Sequence, residues 1–224
     1  MTGKPLLLGH RGCRGSRALP TENSLAAFEC ALTEGCDGFE FDVRHTRDGR
    51  NVLWHDPDWE GSEIAATDSM KLADRSGARL VLLDEVLEQF GQCAYLDIEL
   101  KVPGNEENVV GAVKAHSPQK GFVLTSFYAD ILARLHDLDA GLPLGFLCDR
   151  DDAMAVWRQM PIRVLLPRDS RVQPSLIDEA HAHGLQIMTW TVNDANRMRE
   201  LAGWGIDGII SDDPKRLYQT FHSE

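Results

Sequence analysis

The feature that most constrains this chain is a rhythm of short apolar runs, each followed by a turn and a helical pattern. The runs fall at residues 6–10, 39–43, 95–100, 122–126, 144–147, 164–167, 186–191 and 208–211. Between most of them apolar residues recur at helical spacing. Leu25, Phe28 and Leu32 form one such stripe, with Asn23 or Ser24 as its cap and Gly35 as its stop. Segments 105–116, 128–138, 152–160, 174–183 and 194–201 read the same way. Strands alternating with helices predict a parallel sheet. About eight such units in 224 residues, with no second composition regime, predict a single domain over 1–224. Its expected fold is α/β, a compact (β/α)8 TIM barrel near the lower size limit. A doubly wound open sheet usually carries a glycine-rich phosphate turn after its first strand. Here that strand ends in His10-Arg11-Gly12, and Gly9, Gly12 and Gly15 match neither GxGxxG nor the P-loop.

One irregularity interrupts the rhythm. Thr46-Arg47-Asp48-Gly49 reads as a turn and 51–55 as a return strand, so a hairpin extends the second barrel strand. The polar stretch that follows carries Gly61 and Gly77 and only a weak helical patch around Met70 and Leu72. It reads as a short insertion, 56–81, on one barrel face.

Thirty-five acidic residues against 23 Lys plus Arg leave a net charge of −12, which argues against nucleic acid and anionic membrane surfaces as partners. The five cysteines are odd in number and lack CxxC spacing, so neither a disulfide framework nor structural zinc is expected. No stretch approaches the ~20 apolar residues of a membrane span. The first apolar run is too short for a signal peptide. These readings predict a soluble, cytoplasmic protein.

The chemistry concentrates on two strands. In Phe39-Glu40-Phe41-Asp42-Val43, pleating puts Glu40 and Asp42 on one face and the apolar residues on the other. In the next strand Asp97, Glu99 and Lys101 share a face. Both faces of a barrel strand are buried, and clustered buried carboxylates repel unless a cation neutralises them. Glu40, Asp42 and Glu99 therefore form a hard, all-oxygen site at the C-terminal strand ends, suited to one divalent cation, Mg2+ or Ca2+. The same residues with Lys101 also read as a buried ion-pair network without metal. Asp97 lies deeper and is expected to be a hydrogen-bonded lumen residue.

His10 closes the first strand in phase with Leu6 and Leu8, and His55 closes the return strand. Imidazole can hold either protonation state near neutrality, so such a pair can supply one base and one acid. The other six histidines read as ordinary surface residues. Arg11 and Lys101 can grip a phosphate, or simply balance the carboxylates. Together these groups point to a small-molecule phosphate ester.

The chain resembles the glycerophosphodiester phosphodiesterase family. The resemblance rests on LLLGHRG, PTENSLAAF (Pro20 to Phe28), GCDGFEFDVRHTRDGRNVLWHD, IELK, SF (Ser126-Phe127), WTVN and GIDGIISDDP, in family order from Leu6 almost to the end. It implies a TIM barrel that hydrolyses glycerophosphodiesters to sn-glycerol 3-phosphate and an alcohol; a pair of histidines beside a metal triad predicts that the reaction passes through a cyclic phosphate. The resemblance further implies metal ligands Glu40, Asp42 and Glu99, an acid/base pair His10 and His55, and phosphate contacts from Arg11 and Lys101. Phe127 and Trp190 would line the glycerol pocket. The chain departs from the family after His55-Asp56, where Pro57-Asp58-Trp59-Glu60-Gly61 replaces the usual signature and the insertion is shortened. Phospholipase D-like action on lysophospholipids, or binding of glycerophosphodiesters with weakened catalysis, are the alternatives.

Overall fold

Strand β1 (Leu6–His10) leads into helix α1 (Leu25–Thr33), the long strand β2 (Gly38–His45) and its return strand β3 (Asn51–Leu53). A small ribbon, β4 (Asp58–Trp59) and β5 (Ser62–Glu63), precedes helices α2 (Ser69–Ser76) and α3 (Leu83–Phe90). Strand and helix then alternate: β6 (Tyr95–Leu100), α4 (Glu106–His116), β7 (Phe122–Ser126), α5 (Ala129–Leu138), β8 (Leu144–Cys148) and α6 (Asp151–Val156). The chain ends with β9 (Val164–Pro167), α7 (Pro174–Ala182), β10 (Gln186–Thr189), α8 (Ala195–Trp204), β11 (Gly208–Ser211) and α9 (Pro214–His222). This computed structural model describes residues 4–14, 21–59, 61–76 and 80–222, with backbone alone at 73–76. Gly15, Pro20, Glu60 and Gly77, named above, lie outside the described residues.

The sheet runs β1-β11-β10-β9-β8-β7-β6-β2, and β2 pairs back onto β1, so eight parallel strands close into a barrel. Strand β3 adds to β2 antiparallel, with Val43 opposite Leu53, which is the expected hairpin. Pleating sorts β2 as its alternation requires. Phe39, Phe41 and Val43 face outward, where Phe39 stacks on Phe28 of α1 at 4.2 Å and meets Phe90 of α3 edge-on at 5.2 Å. Leu8, Val123, Leu147, Val164, Leu166, Met188 and Ile210 pack into a second, separate apolar cluster that fills the lumen. Polar groups are left for the C-terminal strand ends above this plug. Gly38 permits the close β2–β6 pairing, since a Cβ there would lie 1.9 Å from the Tyr95 carbonyl oxygen.

Helix α1 begins as its sequence suggests: the Ala27 N–H donates to the Ser24 hydroxyl at 3.2 Å, satisfying one free N–H of the first turn. Gly35, at φ 98°, follows the last turn in the left-handed conformation. Several details differ from expectation: the return strand expected over 51–55 ends at Leu53, so His55 lies past it, and helix α3 occupies a stretch for which no helix is expected. The strand expected over 186–191 ends at Thr189, and 152–160 divides into α6 and a 3-10 turn around the buried Trp157. The 56–81 insertion is not bare loop: β4, β5 and α2 cover a small core of Val52, Ile64 and Leu72.

The cysteines require a correction. Cys13 and Cys30 form a disulfide, with Cα atoms 5.9 Å apart. Their separation of 17 residues carries no spacing signature; the pair meets because the loop after β1 folds back along α1, where Cys13 N–H donates to Ala27 at 3.0 Å. Cysteine usage is thus no argument for a reducing compartment. The buried thiols of Cys36 and Cys148 are pushed up to about 12, chiefly by burial. No helix among the described residues is long and apolar enough to cross a membrane.

Candidate active site

Strand register brings the acidic groups together. His10 is level with Glu40 across β1–β2, and Asp42 with Glu99 across β2–β6. Oxygen atoms of Glu40, Asp42 and Glu99 all lie within 4.8 Å of one another. Lys101, one pleat beyond Glu99, places Nζ 2.7 Å from Glu99 and 3.2 Å from Asp42. Arg11 turns through a left-handed φ of 53°. Its N–H donates to Glu40 Oε2 at 2.9 Å, while its guanidinium pairs with Asp42 at 3.1 Å and Glu22 at 2.7 Å. Asn23 completes the cradle, donating its side-chain N–H to Asp42 at 2.8 Å.

Two cations thus face three buried carboxylates, and the balance is incomplete. Glu40 Oε1 is buried with no hydrogen-bond partner. Burial, then Asp42 and Glu99, hold the Glu40 carboxyl well above the usual range. Burial followed by Asp42 pushes Glu99 up to about 7 against the pull of Lys101. At Asp42 burial is outweighed by Lys101, Arg11 and Asn23, so this carboxyl is held low. An uncompensated oxygen in an all-carboxylate set fits a hard divalent cation and is poorly explained by an ion-pair network alone.

These groups line a pocket of about 230 Å³ at the C-terminal strand ends, with His10, Arg11, Glu40, His55, Glu99, Lys101, Phe127 and Trp190 in its wall. Phe127 and Trp190 meet edge to face at 5.3 Å, and Trp190 is fixed by donating its indole N–H to the Leu166 carbonyl at 2.9 Å. A larger cleft, about 530 Å³, opens at the N-terminal strand ends. Its Asp37 and Asp207 carboxylates are engaged in accepting the backbone N–H groups of Leu7 and Ile187, both at 2.8 Å, so it offers no comparable chemistry.

A family model for the glycerophosphoryl diester phosphodiesterase family matches residues 10–216. The chain belongs to this family. It is accordingly an enzyme of the phosphoric diester hydrolase class. A glycerophosphodiester phosphodiesterase of Caldanaerobacter subterraneus subsp. tengcongensis is 31% identical over 237 residues, covering 96% of each chain. The crystal structure of a glycerophosphodiester phosphodiesterase from Parabacteroides distasonis superposes with a TM-score of 0.86 at 23% identity, covering 98% of each chain. An Oleispira antarctica phosphodiesterase, solved in complex with the product sn-glycerol-3-phosphate, gives 0.82 at 23% identity over 98% of this chain and 97% of its own. Likeness at these identities speaks for the shared barrel.

Every site residue expected from the sequence of this phosphodiesterase family member lies at the one pocket, with Asp42 directly beneath it. Arg11 and Lys101 stand there as partners of the carboxylates rather than as free cations. Asp97 accepts from Thr125 Oγ1 at 2.7 Å deeper in the lumen, as expected. His55 lies beyond the end of β3, and its Nδ1 sits 2.7 Å from the exposed Asp56 carboxylate. Arg44 donates twice to the His55 carbonyl, at 2.9 and 2.7 Å, and anchors its backbone. Burial holds the His55 imidazole below the ordinary histidine value, with Asp42 opposing and Lys101 reinforcing. The supporting groups Glu22, Asn23, Arg44, Asn193 and Asp212 all fall inside the stretches that carry the family resemblance, but no residue pattern there assigns them a role. Position is a second signal: Asn193 and Asp212 follow the C-terminal ends of barrel strands, where such sites are built.

Proposed function

We propose that this chain, as one catalytic domain over 1–224, hydrolyses glycerophosphodiesters to sn-glycerol 3-phosphate and an alcohol. The observation that carries the reading is the placement of His10 and His55 in the wall of one pocket whose remaining polar lining is Glu40, Glu99, Arg11 and Lys101. A pure binding protein has no use for two imidazoles flanking a phosphate-sized site. The product named in the Oleispira antarctica complex supports the same substrate class.

Glu40, Asp42 and Glu99 would hold one divalent cation, Mg2+ or Ca2+. Such an ion supplies charge neutralisation for a phosphorane-like transition state. The chain's own residues do the rest. Arg11 and Lys101 add fixed positive charge beside the phosphate and keep Asp42 ionised. One histidine takes the proton of the glycerol 2-hydroxyl as that oxygen attacks phosphorus, and the other protonates the departing alcohol. The resulting cyclic 1,2-phosphate is opened by water with the two roles exchanged, so each histidine must both give and take a proton. Phe127 and Trp190 form an apolar wall against the glycerol carbons.

The test is to assay His10→Ala and His55→Ala on glycerophosphocholine and lysophosphatidylcholine, with product analysis. Loss of a general acid or base costs about 10²–10⁴ in rate. Near wild-type turnover by either variant would remove the acid/base assignment, and preference for the lysolipid would replace the substrate class.

A further inference from the structure

The two histidines of the pocket are held very differently, and the difference names a residue. His10 Nδ1 lies 2.7 Å from Asp212 Oδ1. A carboxylate can only accept, so Nδ1 carries the proton and Nε2 is the nitrogen turned to the pocket. Asp212 is itself clamped. Asn193 donates its side-chain N–H to Asp212 Oδ2 at 2.7 Å, and Asn193 Oδ1 accepts both the Asp212 N–H and the Ser211 hydroxyl at 2.9 Å. Arg14 stands 3.7 Å from the same carboxylate, and its N–H donates to the Asp212 carbonyl at 3.2 Å. Burial would raise the Asp212 carboxyl, but His10 and Asn193 outweigh it and keep the group low. By contrast, the Asp56 carboxylate facing His55 is 68% exposed.

We propose that Asp212, locked by Asn193, is the positioning residue that sets the tautomer and aim of His10 in this enzyme. The proposal rests on His10 being a catalytic residue, as read above. Asp212 does not touch substrate; it works through the imidazole. Its carboxylate holds Nδ1–H, so Nε2 is available to the reacting oxygen in every turnover, whichever direction the proton moves. Asn193 fixes the carboxylate plane from the loop after β10, joining two strand ends behind one ring.

The test is a double-substitution cycle. Asp212→Asn retains shape and one acceptor oxygen but allows an amide N–H to face the ring, so Nδ1 is no longer obliged to carry the proton. The kcat on glycerophosphocholine should fall about 10–100-fold, less than the ~10²–10⁴ for removing the histidine, with KM within about twofold. In the His10→Ala background the same substitution should cost nothing further. Long-range 1H–15N spectra at pH 8 should show a single Nδ1-protonated His10 in the parent protein and mixed tautomers in Asp212→Asn. Should Asp212→Asn not fold, Asn193→Ala loosens the same carboxylate and should show the same signature more weakly. An equal loss in both backgrounds, or a parent-like kcat and spectrum in the variant, overturns the proposal. Near-normal turnover by His10→Ala would instead overturn the reading on which it rests.

Discussion

Divalent-ion affinity should fall on acidification by an amount set by the three carboxylates. Asp42 is held low by Lys101 and Arg11 despite its burial and is ionised throughout the neutral range. Glu99 is pushed up to about 7 by burial and by Asp42, and Glu40 well above the usual range by burial, Asp42 and Glu99. Ligation needs the ionised form, so each protonated carboxylate must release its proton when the ion binds. For Glu99 alone the protonated share falls from about nine-tenths at pH 6 to about one-tenth at pH 8, a roughly tenfold gain in affinity, or ~1.4 kcal/mol. Glu40 adds up to about another factor of ten per pH unit while it stays protonated.

The sign for stability runs the other way. A carboxyl whose folded value lies above its unfolded one stabilises the fold fully below the unfolded value, ~4.3, and loses that contribution as pH rises through the folded value. The ion-free chain should therefore lose stability as pH rises through about 7, the Glu99 value, and Mg2+ or Ca2+ should restore more of it at pH 8 than at pH 6. Isothermal titration at pH 6, 7 and 8, each in two buffers of different ionisation enthalpy, reads both affinity and protons released. At pH 7 at least about half a proton should leave per ion, from Glu99 alone. Affinity flat between pH 6 and 8, with heats independent of buffer, would refute the triad as the ion's ligand set.

Three further outcomes follow from the same geometry. Exhaustive EDTA treatment should abolish turnover, and Mg2+ or Ca2+ should restore it; full activity in the chelated protein would detach the carboxylate cluster from catalysis. Reduction of Cys13–Cys30, or Cys13→Ser with Cys30→Ser, should cost ~3 kcal/mol for a loop closed across 17 residues, lowering the thermal midpoint by roughly 6–12 °C. An unchanged midpoint under strong reductant would show that the bond contributes nothing. Trp190→Ala removes the edge-to-face partner of Phe127 and one pocket wall, so KM should rise ~3- to 10-fold with kcat less affected; an unchanged KM would place the glycerol elsewhere.

What is legible in the sequence and what is not divide along a physical line. The eight barrel strands stand out because each is a short apolar run buried on both faces, and the pleat then dictates which side chains enter the lumen. That is why strand alternation alone suffices to place His10, Glu40, Asp42, Glu99 and Lys101. Helix α3 and the ribbon β4–β5 are hidden for different reasons. The helix follows directly on an insertion that reads as polar, while strands of two residues carry no periodicity at all. The 17-residue disulfide link and the residues that hold the site from behind share another obstacle: they sit in loops or find partners outside their own element. Nothing in a local pattern says that Asn23 meets Asp42, or that Asp212 meets a ring 202 residues earlier.

That last contact shows what barrel closure contributes to the chemistry. Leu8 pairs with Ile210 and Gly9 with Ser211, so the strand that ends in His10 lies beside the strand that delivers Asp212. On its other side the same first strand pairs with β2 and sets His10 level with Glu40. The candidate acid/base group is therefore aimed by the last strand and placed against the acidic cluster by the second. Half a barrel, even one containing His10, His55 and all three carboxylates, would lack the residues that orient His10. The catalytic geometry belongs to the closed ring and not to the half that bears the histidines and carboxylates alone.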